Sequence, residues 1–404
     1  MNNQRFGGSR RSEVKKPRRL SGNLIAWVSV ALIGFFVFIN WHDLTEFFRG
    51  SVPISGFPVR IPGNAHQFTK NTILPFDTGF ILLTDTHIYV YNGDGSLRFS
   101  ERHNYSEPLI EVAKSRFIVY DLNGEEHAIF GKKGLIRKTS TEQRILYGTI
   151  GNSESYAVVY RSPTYASVLQ VYNKDGGQRY LKRLSDRNVM QTKFTQDDKE
   201  IITSMLSFDG GVIIAAIEKF NLSSDDETGV WRTQLPAGSV PIALHTGKEN
   251  VFVLCDNRIY ALDIESGKML GKYDYGGLLI DFDFTDAAAL LLVDGYITEM
   301  AGSVNLILLS DTAEPIEVAG VSKDSVQVRF RKNQEDISLL EEVYISRYNS
   351  QLEQVETFPL AEDYAKFAHV NDEILLLGFG SVDKLFCQDD IQTEIAFETQ
   401  EEPS

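Results

Sequence analysis

The chain has 404 residues, 43% apolar and 24% charged, with 31 Gly, 12 Pro and two Cys, a composition that excludes a disordered chain, a collagen and a disulfide scaffold. Its formal net charge of −15 argues against a nucleic-acid binder, because that affinity rests on Lys and Arg neutralising phosphates. At this length a helical or α/β chain usually divides into two or three domains, so one large domain requires a repeat architecture.

Residues 1–22 carry seven basic side chains, Arg5, Arg10, Arg11, Lys15, Lys16, Arg18 and Arg19, against Glu13, which leaves the remainder at −21. Residues 24–39, LIAWVSVALIGFFVFI, follow without a charge. With Asn23, Asn40 and Trp41 the span of 23–41 reaches about 29 Å as a helix, close to a hydrocarbon core. A cleaved signal peptide ends in small residues, whereas this run continues into Phe38, Ile39, Asn40, Trp41 and His42. The reading is an uncleaved signal anchor; a buried core helix is the plainer alternative. The basic flank predicts a cytoplasmic tail at 1–22 and everything after residue 42 outside the membrane. Such a tail usually only sets topology, although Ser12 or Ser21 beside anionic lipid is a conceivable phosphorylation switch. Residues 42–55, HDLTEFFRGSVPIS, read as a juxtamembrane linker.

From residue 56 onward short apolar runs recur: FILLTD (80–85), HIYVYN (87–92), RFIVYD (116–121), YAVVYR (156–161), VFVLCD (251–256), RIYALD (258–263), ALLLVD (289–294) and EILLLGF (373–379). They are too short for helices, are bounded by Asp, Asn and Gly, and are often paired by tight turns such as Asp85-Thr86 and Asp256-Asn257. Second hairpins follow, as in YNGDGSLRF (91–99) and YNKDGGQRY (172–180). Two hairpins make a four-stranded unit. The second turns fall near Gly95, Gly134, Gly176, Gly229, Gly267 and residues 314, 352 and 390, a mean period of about 42, as in a propeller blade. The prediction is an all-β, eight-bladed β-propeller over 56–388, behind one N-terminal transmembrane helix, with an acidic flexible tail at 389–404. A seven-bladed ring requires a period of nearly 48 and a unit around 320–345 that is not a blade. FPVRI (57–61) is spare at the front while the last unit lacks a fourth strand, so the N-terminal strand is expected to complete the last blade.

Residues 258–273, RIYALDIESGKMLGKY, resemble the blade repeat of quinoprotein-like propellers, with a strand, an Asp, a Ser-Gly-Lys turn and an outer strand. In that repeat a Trp after the turn docks neighbouring blades; here Gly271 stands there, and Trp231 is the one Trp in an outer strand. A vicinal Cys pair is missing too, so the resemblance implies the fold and not the dehydrogenase chemistry. The whole chain is similar to a family of uncharacterised single-pass membrane proteins of clostridial-type bacteria, defined only as a domain of unknown function. The similarity rests on the basic tail and anchor, GFPVRI (56–61), ILLTDTHIYVYNGDG (81–95), HNYSEPLI (103–110), YASVLQVYNKDGG (165–177) and LLLGFGSVDKLF (375–386). It implies a propeller outside the membrane and no activity.

The seven His lack HxH and HExxH spacing, and neither GxSxG nor GxxxxGK occurs. Cys255 and Cys387, three blades apart, are expected to be free packing residues. Asp281 and Asp283, two apart on a strand, share one face about 7 Å apart. They are the candidates for a metal or acid–base pair at the central channel, against a plainer role bonding backbone N–H groups at a blade's inner edge. The loop SSDDET (223–228) is too irregular for a calcium site, and the sequons at Asn104 and Asn221 carry no meaning in a bacterial host. No cofactor is expected. The functional expectation is a non-catalytic scaffold or sensor at the cell envelope that recruits an envelope protein or wall polymer; the alternative is a channel-centred enzyme or small-ligand receptor.

Overall fold

The computed structural model describes residues 56–61, 71–223, 229–295, 302–331 and 336–385. The expected tail, anchor and linker of residues 1–55 and the acidic tail of 389–404 lie outside them, as do Cys387 and most of the 223–228 loop. The described residues form thirty-two strands in eight antiparallel sheets of four. Seven of these are built from consecutive strands: blades one to seven occupy 72–102, 108–140, 145–184, 188–234, 241–274, 277–322 and 325–359. The unit around 320–345 contributes a full blade, Ser325–Phe330, Ile337–Glu341, Tyr344–Tyr348 and Gln354–Pro359, which excludes the seven-bladed alternative.

Blade eight closes the ring. Lys366–Val370, Glu373–Leu377 and Ser381–Leu385 supply three strands, and Val59–Arg60 from the front of the domain pairs antiparallel with the last of them, Val59 opposite Val382 and Arg60 opposite Ser381. The innermost strands of blades eight and one are neighbours, and Lys366 Nζ donates to the Asn71 carbonyl at 2.9 Å.

The apolar runs are continuous because both faces of each sheet are covered. Successive side chains on a strand point to opposite faces: Ile81 packs toward blade two with Phe117 and Phe130, and Leu82 toward blade eight with Ala368 and Leu375. The buried residues divide into eight clusters, one at each seam between blades. Where the second turn lacks glycine, Ala313 and Leu352 adopt the left-handed conformation, φ 58° and 53°.

The two departures from the quinoprotein repeat have physical reasons. Trp231, on the outer strand of blade four, donates Nε1 to the Ile264 carbonyl of the next blade's turn at 3.0 Å. Its ring lies so close to Gly267 (φ +69°) that a Cβ there would sit 2.5 Å from it. Gly271 takes the place of a docking Trp because blade six comes to it directly: a Cβ at Gly271 would stand 2.1 Å from the Thr312 carbonyl oxygen. Elsewhere the same seam contact is made by Arg137, which donates to the Asp175 carbonyl of blade three at 2.6 Å.

Candidate functional site

The innermost strands all run the same way through the ring, so the molecule has two distinct faces. One, the entry face, carries the starts of the innermost strands and the hairpins between second and third strands. The other, the exit face, carries the first turn of every blade and the third turns of blades one to seven.

Asp281 and Asp283 lie on the innermost strand of blade six, Gly277–Phe284. Asp281 Oδ2 accepts from the Val328 amide at 2.9 Å and from Arg329 at 2.5 Å. Asp283 Oδ2 accepts from the Phe330 amide at 2.8 Å, and its Oδ1 from the Phe284 amide at 2.9 Å. The shared face predicted from their spacing is present, and it grips the inner edge of blade seven. Burial pushes the Asp283 carboxyl above its ordinary range, against the attraction of Arg329. Among the described residues no group of three or more His, Cys, Asp or Glu is placed to hold a metal ion.

A second channel cluster escaped the sequence. Glu111 of blade two accepts from the Tyr147 hydroxyl of blade three at 3.0 Å and from Lys193 of blade four at 2.5 Å. The ion pair lines a cavity of about 160 Å³ toward the exit face, together with Thr149, Thr195, Asp198 and Thr246. Asp198 is fully buried and accepts from the Asn152 and Ser153 amides of the preceding blade at 3.0 and 2.7 Å. Nothing in the local sequence marks these groups, which are brought together only by blade order.

Burial holds the imidazoles of His127, His245 and His369 neutral, each lowered to about 4, and pushes the Cys255 thiol up to about 12. Cys255 is a free, buried packing residue as expected.

The entry face holds a third feature. In blades three to seven the ladder between first and second strands slips by one residue: between Ile145 and Tyr147, Val189 and Gln191, Pro241 and Ala243, Leu279 and Asp281, and Ser325 and Gln327. Blades one, two and eight have unbroken ladders there. The extra residue of a β-bulge is left unpaired and re-aims its side chain. Here the extra residues are Leu146, Met190, Ile242, Ile280 and Val326, all apolar. Leu146 is half-buried and packs against the core between blades three and four, whereas the others are 37%, 39%, 37% and 45% exposed beside flanking residues that are covered or half-covered. Met190, Ile242, Ile280 and Val326 form an apolar arc at the entry mouth of the channel.

Several solved structures share the fold. Saccharomyces cerevisiae Sqt1 superposes with a TM-score of 0.56 at 9% identity, covering 78% of this chain and 95% of that one. BamB from Moraxella catarrhalis gives 0.53 at 9%, covering 81% and 97%. The C-terminal WD40 domain of Sif2 gives 0.56 at 11%, covering 78% and 96%. At these identities the likeness is one of fold. No curated protein matches the sequence. Residues 63–272, just over half of the chain and the span of blades one to five, match the family of unknown function DUF5711, and the chain belongs to that family.

Proposed function

We propose that this propeller is a non-catalytic interaction scaffold, held at the outer side of the cell membrane by an anchor at residues 23–41. The observation that carries the reading is the apolar arc: a closed ring whose buried apolar clusters lie at its seams still exposes Met190, Ile242, Ile280 and Val326 at one mouth. The channel supports binding over catalysis, because Asp281, Asp283, Glu111 and Lys193 are already engaged by neighbours across the seams. The +6 tail before the apolar run supports the orientation. The partner class is an envelope protein or wall polymer, and the ring needs no cofactor for this role.

The test is crosslinking in intact cells through photoreactive residues placed at positions 190 and 280, with protease added to spheroplasts in parallel. A captured partner and proteolysis of a tag placed after residue 385 are expected. Absence of any crosslinked partner at either position would remove the scaffold reading, and protection of the tag would remove the orientation.

A further inference from the structure

The apolar arc is built, and its surroundings say what it is built for. Closing an eight-bladed ring does not require an extra residue in the innermost strand, since three blades close without one. Five consecutive blades nevertheless insert one at the same level, and every insertion is apolar. Leu278, two residues before Ile280 on the same strand, extends the arc and is 68% exposed. Blade four adds an overhang. Its second and third strands, Glu200–Asp209 and Val212–Asn221, are ten residues each. Leu206 pairs with Asn188 at the start of the innermost strand, so Ser207, Phe208 and Asp209 reach about 10 Å beyond it. Phe208 and Val212 at that tip are 68% and 47% exposed.

The rim of this face is acidic. Asp209, Asp256, Asp294 and Asp324, with Glu142 and Glu342, lie exposed at its strand ends and connections along blades three to seven. Arg258 is paired with Asp274 at 2.9 Å, and Arg187 with Glu218 at 2.6 Å and Asp186 at 3.5 Å, while Arg144, Arg161, Arg183 and Lys323 are exposed on the same face, so the unpaired carboxylates keep a small excess. An apolar seat inside a rim of carboxylates selects for an occupant that brings apolar side chains and positive charge together, and disfavours anionic surfaces.

We infer that the arc of Met190, Ile242, Ile280 and Val326 is the seat of a Lys/Arg-rich polypeptide segment of a partner protein, whose apolar side chains lie on the arc while its charges meet the rim. This rests on the scaffold reading and names the chemistry of the partner.

The experiment uses the full chain in zwitterionic detergent micelles, with empty micelles as the blank, and three fluorescent twelve-residue peptides: alternating Lys-Leu, alternating Glu-Leu and alternating Lys-Ser. Fluorescence anisotropy should show binding of the Lys-Leu peptide that weakens as salt rises, with the other two at least tenfold weaker. The combined change Met190→Ser, Ile242→Ser and Ile280→Ser should weaken that binding at least tenfold. The control change Leu135→Ser, Val318→Ser and Val355→Ser, on comparably exposed outer-strand positions, should leave it unchanged. Equal binding of the Glu-Leu or Lys-Ser peptide, equal effects of the two triple variants, or arc-dependent dimerisation of the chain itself would overturn the assignment. A partner crosslinked in cells at 190 or 280 without a basic segment would overturn this inference while leaving the scaffold standing.

Discussion

The Lys219 ammonium of blade four donates to the Ile264 carbonyl of blade five at 3.1 Å, sharing that oxygen with the Trp231 indole. Lys219 is 1% exposed and is held by Glu200 at 2.6 Å, with Glu265 farther off at 3.4 Å. A buried charge deprived of its counter-ion is strongly destabilising, whereas replacing it by an apolar chain of similar length is much less so. Glu200→Ala is therefore expected to lower stability by about 2 to 3 kcal/mol. Lys219→Met should cost less, since Trp231 still satisfies the carbonyl. Urea denaturation of both variants checks the order.

Acid should weaken the fold through its buried imidazoles. His127 is fully covered between Tyr156 and Tyr172, and neither ring nitrogen has a hydrogen-bond partner. Its value of about 4 in the fold lies below the ordinary 6.5, so the unfolded chain binds the proton first. The stability tied to the neutral ring is complete above about pH 6.5 and is lost as pH falls toward 4. At pH 5 the loss is on the order of 2 kcal/mol. His127→Phe should flatten this limb, raising the melting temperature at pH 5 relative to wild type more than at pH 8. Equal shifts at the two pH values would contradict the assignment.

Ring closure depends on a short strand with a large side chain. Phe57 is buried in the blade eight–blade one seam, its ring 6.3 Å from that of Phe80. Phe57→Ala is expected to cost about 3 kcal/mol. Deleting residues 56–61 should lower the melting temperature further, because it uncovers the edge at Ser381–Leu385 as well as the seam. An unchanged melt after the deletion would show that the ring does not need this strand.

Changing Asp281 and Asp283 together to Asn keeps the shape but weakens the grip on blade seven. The expected loss is about 1 to 3 kcal/mol, read by thermal melting, with crosslinked partners unchanged. Loss of the cellular phenotype with folding, surface level and captured partners intact would instead make the channel the active or ligand-binding site.

Much of the architecture is legible in the sequence because a blade buries both faces of its sheet. Runs such as FIVY (117–120) and VFVLC (251–255) are then apolar at successive positions, and the turns that separate them recur with the blade. The spare strand was visible for a simpler reason: 57–61 had no partner nearby and the last unit lacked one. The bulges were not legible, since an extra Met190 or Ile242 within an apolar stretch looks like any other strand residue. Glu111 and Lys193 were invisible as a pair because 82 positions separate them. Asp281 and Asp283 were found as a pair, yet their acceptors' partners, the amides of Val328 and Phe330, belong to another blade and leave no trace in spacing.

The pairing of Val59 with Val382 also dictates the order of assembly. About 320 residues separate the two partners, and at roughly 5 to 20 residues per second their synthesis is tens of seconds apart. Each of the first seven blades is made of consecutive strands and can form its own sheet as it emerges. Throughout that interval the first strand has no mate and the advancing edge of the array is open. Closure must wait for Ser381–Leu385 to be made, and truncated or stalled chains would display the same unpaired edge that aggregation exploits. One two-residue pairing therefore marks the completion of the ring.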